Sequence, residues 1–198
     1  MTCILLILVF VFTTASATAA EAASWNALGK LLQSIGSASQ EAKPPLLVQA
    51  LQMRKQLPPM EQTPSGTEEP GSPAEINLVL NLQVLLTAEG FKSAKRYQDA
   101  LSLFESHLSD SEHSSPVLRV GDYCSIAECH MMLGNTAQQS KACAEAFATL
   151  DRSRGKLSAK DWEMAVGRLG MYKAFLIMQK KDQQVAAIAK KLAAYTRQ

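Results

Sequence analysis

Wherever apolar residues cluster in this chain, they recur at three- and four-residue intervals. Trp25, Leu28, Leu31, Leu32 and Ile35 form such a stripe over residues 24–42, with Ser24 placed as an N-cap. Leu47, Ala50, Leu51 and Met53 continue it over 45–57, where Pro45 suits a first helical turn. The strongest pattern follows residue 73. Val84, Thr87, Ala88 and Phe91 share one helix face, and Ala100 with Phe104 repeats the small-then-aromatic arrangement on the next. Small residues at such positions let two antiparallel helices approach closely, and the aromatics fill the space beside them. No stretch alternates with period two for long enough to argue a strand, so the predicted fold class is all-α.

Breakers divide this pattern into segments. Five of the chain's eight prolines lie between Pro58 and Pro73, interleaved with Gly, Ser, Thr and Glu. No packed element tolerates that composition, and 58–73 is read as a flexible linker between an N-terminal amphipathic helical segment, 21–57, and a main domain, 74–198. Ser72-Pro73-Ala74-Glu75 supplies an N-cap, a first-turn proline and a carboxylate placed for a capping box. Three helical hairpins are predicted beyond it: 74–93 with 96–109, 116–133 with 136–150 around Gly134-Asn135, and 159–180 with a return from Asp182 to about Thr196. Ser114-Ser115-Pro116 opens the second hairpin, and Ser158 caps the third.

The first twenty residues differ. Ile4 to Phe12 is unbroken apolar sequence, followed by small residues through Ala20 with Ala-x-Ala cleavage patterns. This reads as a signal peptide, 1–20, and the run is too short for a spanning helix, which needs about 20 apolar residues. Export, periplasmic or secreted, is the expectation, with no stable membrane span after cleavage. Met1-Thr2-Cys3 carries no Lys or Arg, which keeps an uncleaved N-terminal anchor as the alternative.

Composition is globular, with 47% hydrophobic and 19% charged residues, and the net charge of +2 argues against nucleic acid as a partner. The charge is unevenly placed. Residues 21–140 hold 8 Lys/Arg against 13 Asp/Glu, whereas 141–198 hold 12 against 5. That split points either to an acidic partner for the C-terminal part or to head-to-tail self-association, set against two solvated faces that screen each other. Cys124, Cys129 and Cys143 remain after the leader. Their odd number allows at most one bridge. Cys124–Cys143 is the pair the antiparallel hairpin favours, and three buried small hydrophobes is the competing reading.

Val84, Thr87, Ala88 and Phe91 recur as Tyr123, Ile126, Ala127 and His130 at an offset of 39 residues. Recurrence at fixed offset marks stacked hairpins that cannot bury their faces alone. The pattern resembles the tetratricopeptide repeat, whose unit is about 34 residues, with the surplus placed in 109–115. Ala88, Phe91, Tyr97, Ala100 and Phe104 match its packing positions. Ala127, Gly134 and Ala146 match in the second unit, where Gln139 and Cys143 depart from it. In the third, Ala174, Ile177 and Ala186 align while Lys173 falls on a usually apolar place. The resemblance spans roughly 78–196 and implies a superhelix of stacked hairpins whose first helices line a peptide-binding groove.

The positions that the resemblance assigns to the groove are Leu82, Leu85, Glu89, Lys92 and Ser93, then Gly121, Cys124, Glu128, Met131 and Met132. Relatives that grip a C-terminal carboxylate use Lys, Asn and Arg there. Leu85, Glu89 and Cys124 stand at the matching places, which argues against a carboxylate clamp. An apolar, Met-rich groove with two carboxylates suits an amphipathic segment with a basic flank. The N-terminal helix, carried on its linker, is a candidate to dock there or to cover a partner; burial of these side chains under that helix or the third hairpin is the competing reading.

Candidate chemistry is sparse. Cys124 through His130 lacks the two-residue spacing of haem attachment and a fourth ligand for zinc, so neither metal nor cofactor is expected. His130 takes an aromatic packing position, and His107 with Glu105 and Asp110 makes no nucleophile–base arrangement. Trp162 is expected to anchor the last hairpin, and Arg152, Arg154, Lys156 and Lys160 form a basic interhelix loop. The function expected is a non-enzymatic adaptor that binds a protein or peptide. The alternative is a self-assembling structural subunit using its acidic and basic halves, and a helical enzyme or ligand carrier built on Cys124 and His130 ranks last.

Overall fold

The computed structural model describes residues 25–57, 71–110 and 115–195, and among them every regular element is a helix and no strand occurs. The elements are α1 (25–37), α2 (Lys43–Lys55), α3 (Pro73–Ser93), α4 (Tyr97–Leu108), α5 (Pro116–Met132), α6 (Thr136–Arg152), α7 (Ala159–Met178) and α8 (Asp182–Leu192). The all-α expectation holds, and the three predicted hairpins appear within two residues of their expected limits, except that the last helix ends at Leu192. The leader and most of the proline-rich segment lie outside the described residues. Among the described helices none is long and apolar enough to cross a membrane.

The chain forms two compact units that divide inside α3, after Gln83. In the first unit α1 turns Trp25, Leu28, Leu32 and Ile35 into the core, all buried as their spacing dictates. α2 begins with Pro44 and Pro45, whose missing N–H groups cost nothing in a first turn, and buries Leu47, Ala50 and Leu51. At its far end Arg54 is fully buried, and its Nη1 donates to Asn77 Oδ1 at 2.6 Å and Asn81 Oδ1 at 2.5 Å. A guanidinium taken out of water is strongly disfavoured without such acceptors, so these bonds fix α2 on the first half of α3. Gly29 faces Ile76, where an added Cβ would come within 3.4 Å of its Cδ1, and Gln83 Nε2 donates to Leu32 O at 3.4 Å. Ser72 Oγ accepts from Glu75 N at 3.2 Å and Glu75 accepts from Gly71 N, a capping box displaced by one residue.

The second unit comprises 84–93 of α3 with α4 through α8. α5 is its centre, packed on α4, α6 and α7; α7 in turn packs on α8. Ala88, Ala100 and Ala127 are fully buried, beside buried Phe91 and Phe104, which is the close approach that their size predicts. Ser115 Oγ accepts from Leu118 N at 3.3 Å and Ser158 Oγ from Asp161 N at 3.1 Å, so both expected serine caps of this unit are in place.

One backbone turn closes all three hairpins. Lys95, Gly134 and Lys180 have φ of 60°, 77° and 55°. The residue after each is alike too: Arg96 at φ −87°, ψ 60°, Asn135 at −87°, 68°, and Lys181 at −96°, 59°. Each of those residues donates its N–H to a carbonyl five residues back, Phe91, His130 and Leu176, at 2.8, 2.8 and 3.0 Å. This is a Schellman closure, in which the left-handed residue turns the chain and satisfies two carbonyls of the ending helix. The Arg96 guanidinium lies 4.4 Å over the Phe91 ring, covering the first turn.

The turns also correct a register. Superposing Gly134 on Lys180 brings Leu169, Tyr172 and Leu176 to the places of Tyr123, Ile126 and His130, and these three are buried. Ala174, Ile177 and Ala186, which the sequence pattern aligned, are exposed. The alignment favoured alanines by identity, whereas the turn fixes which side faces inward, one residue earlier.

Left-handed backbone costs a residue with a Cβ about 1–2 kcal/mol, partly offset in glycine by its greater freedom when unfolded. Lys95→Gly and Lys180→Gly are therefore each expected to raise unfolding free energy by about 0.5 kcal/mol, and Gly134→Ala to lower it by about 1 kcal/mol, read by urea titration.

Candidate functional site

Nine of the ten groove positions lie in the second unit; Leu82, exposed on α3, lies in the first. Within the second unit the structure brings the charged members together. Lys92 Nζ on α3 contacts Glu89 Oε1 at 3.1 Å and Glu128 Oε2 on α5, and Ser125 Oγ donates to Glu89 Oε1 at 3.3 Å. Lys92 also lies 5.9 Å from the Phe104 ring centroid. Burial disfavours the Lys92 charge, but Glu128 and Glu89 outweigh it and raise its pKa above the usual lysine value. Burial likewise pushes the Glu128 carboxyl up, against the pull of Lys92. The cluster thus presents two carboxylates to one ammonium. Beside it, Leu85 and Met131 are half-buried and Met132 is exposed.

Cys124 does not belong to this surface. It is buried, and burial drives its thiol far above the ordinary cysteine range, so it offers no atom to a ligand. The reason is its place on α5, the helix enclosed by α4, α6 and α7. Cys129 is buried too, its thiol pushed up to about 12 by the same cause. Cys143 is half-buried, raised by burial and pulled back by Lys191. All three are free thiols, so of the two readings the small buried hydrophobe describes Cys124 and Cys129. His130 is buried as a packing residue, its Nδ1 without a hydrogen-bond partner. Among the described residues no three His, Cys, Asp or Glu side chains converge.

Two polar features escaped the sequence reading. His107 Nδ1 hydrogen-bonds Asp122 Oδ2 at 2.7 Å, and both side chains are fully buried between α4 and α5. Asp122 Oδ1 has no hydrogen-bond partner, and burial raises the carboxyl above its usual range despite His107, Arg119 and Arg168. With no exposed atom the pair is closed to a substrate. It staples two helices. Each residue occupies a core-facing position of its own helix, but nothing in the sequence pairs the two. The second feature is Gln139, 39 residues after Ala100, where the first hairpin has a small residue. Its Nε2 donates to Tyr172 Oη at 3.0 Å and Gln184 Oε1 at 2.8 Å, tying α6 to α7 and α8.

The exposed surface is asymmetric. Among the described residues, the large hydrophobic side chains that meet solvent are Leu78, Leu82 and Leu86 on α3, Met132 and Leu133 at the end of α5, and Met164, Met171, Ile177 and Met178 on α7. None lies on α4, α6 or α8. Trp162 is half-buried, its ring 5.9 Å from Tyr195, which stacks on Phe147 and donates its hydroxyl to Asp151 Oδ1 at 2.8 Å.

Neither family models nor curated proteins nor solved structures yield a match to the chain.

Because the folded-state pKa of Asp122 exceeds its unfolded value, its contribution favours folding at low pH and is lost as pH rises through the folded value. Asp122→Asn, which keeps the shape and removes the charge, is expected to melt at or above the parent at pH 7. The difference should shrink as pH falls towards 3.8, as calorimetry across pH will show. Thiol labelling of the native protein at pH 8, mapped by mass spectrometry, is expected to modify Cys143 first; Cys124 and Cys129 should react only after denaturant is added.

Proposed function

We propose that this chain is a tetratricopeptide-like scaffold without catalytic activity, exported by its N-terminal leader, that binds a segment of another protein along α3 and α5 of the second unit. The observation that carries the reading is the asymmetry of exposure: apolar side chains meet solvent on the first helix of each hairpin and not on the second. A folded protein rarely leaves such residues in rows unless a partner covers them. Three further features support it. The hairpins share one turn geometry, as stacked repeats do. α5 packs beside α7 as well as on its own partner α6, so first helices lie side by side. Glu89, Lys92 and Glu128 sit on that side with Leu85, Met131 and Met132.

The chemistry of the surface specifies its ligand. Two carboxylates against one ammonium leave net negative charge, and the flanking methionines conform to varied apolar shapes. The fitting ligand is an amphipathic segment with apolar anchors and a basic residue to meet Glu89. Buried Cys124 contributes packing alone.

The test uses side chains whose replacement leaves the core untouched. Met132→Asp and Glu89→Lys are each expected to weaken capture of a partner from the native host by about tenfold or more, with the circular dichroism melt unchanged. Undiminished capture by both variants would remove α3 and α5 from consideration.

A further inference from the structure

We propose that the cleft between α1 and the first half of α3 binds a small uncharged apolar molecule that carries one hydrogen-bond donor. The cleft lies wholly within the first unit, so it is independent of the partner-binding reading, which concerns the second.

The two helices touch where Gly29 faces Ile76 and where Gln83 donates to Leu32 O. The same four residues line a cavity of about 650 Å³, a volume typical of pockets that hold small ligands. Buried Leu32 and Ile76, with half-buried Val79, give it apolar walls. Glycine keeps it open. Gly29 and Gly36 both line the cavity seven residues apart on α1, so they share one face of that helix and place no side chain there. A Cβ added at Gly36 would meet nothing within 4 Å. Glycine weakens a helix relative to alanine, and no packed neighbour calls for one at this position. An open cleft does.

Gln83 sets the chemistry of the ligand. Its Nε2 faces the Leu32 carbonyl, which can only accept, so one orientation of the amide makes this bond and the other does not. Oε1 is thereby left buried and, among the described residues, without a hydrogen-bond partner. A buried acceptor without a donor is costly, and a ligand O–H or N–H that reaches it removes that cost. Charge selects the rest of the molecule. Exposed Lys30 and half-buried Glu75 are the charged members of the lining, and their signs cancel. A ligand of either net charge would meet one like charge, whereas an uncharged body meets none. A bicyclic phenol or an indole has these properties.

The purified full chain is to be titrated calorimetrically with 2-naphthol and with 2-methoxynaphthalene, which has the same rings and no donor. 2-Naphthol is expected to bind at one site per chain, and the methoxy compound about tenfold more weakly or worse. Gln83→Met keeps the length of the side chain and is expected to bind the two compounds equally. Gly36→Leu fills the open space and favours the helix, so it should abolish binding of both with the melt at or above the parent's. Met171→Glu, on the exposed face of α7, should change neither affinity, which separates the cleft from apolar surface at large. If Gln83→Met fails to fold, the comparison of the two compounds on the parent and the Gly36→Leu variant decide the matter. Equal affinity of the parent for both compounds would mean that solvent alone satisfies Gln83, and would overturn the proposal. So would a parent that binds no 2-naphthol at millimolar concentration, binding untouched by Gly36→Leu, or binding lost in Met171→Glu.

Discussion

The second unit depends on a three-residue turn used three times. An antiparallel helix pair is defined by where the first helix stops and how the chain reverses. Here both are set by one left-handed residue and one bond back to a carbonyl five positions earlier. Because the bond is made by backbone, it tolerates Lys95, Gly134 and Lys180 alike. The carbonyls it uses belong to Phe91, His130 and Leu176, which are core residues. Turn and core therefore specify one register, and a slip of one residue would break both together. Small buried alanines at 88, 100 and 127 then let the helices close on each other.

Much of this was legible in the chain because helical periodicity, serine caps and breakers agree. Ser115 and Ser158 cap where they were expected, and Pro73 and Pro116 open helices. The first two hairpins were readable as helix pairs because periodicity, caps and breakers mark all four of their helices. In the third hairpin the inward face lies one residue earlier than the alanine pattern suggests, since the turn geometry and not residue identity sets it. Leu169, Tyr172 and Leu176 preserve burial, while Lys173 stands where the earlier hairpins place alanine.

The candidate site was legible in part. Glu89, Lys92 and Glu128 are four and three residues from apolar neighbours on their helices, and stacking the helices was enough to bring them together. Cys124 was misjudged because a groove position and a core position differ by one-third of a helical turn, a distinction that α7 packing on α5 decides. Buried polar groups were the least visible. Nothing in sequence tells that Arg54 meets Asn77 and Asn81, or His107 meets Asp122, since each pair joins separate helices. Such contacts add specificity to a core that apolar packing alone would leave degenerate.

Tyr195 holds the last described hairpin closed. Its ring is shared by Phe147 of α6 and Trp162 of α7, the Arg154 guanidinium lies 5.4 Å from its centroid, and its hydroxyl is held by Asp151. Just past the end of α8, the chain is thus clasped by an aromatic knot that belongs to earlier helices. Losing this one side chain would loosen the final described hairpin as a whole, which makes Tyr195 the latch of α8.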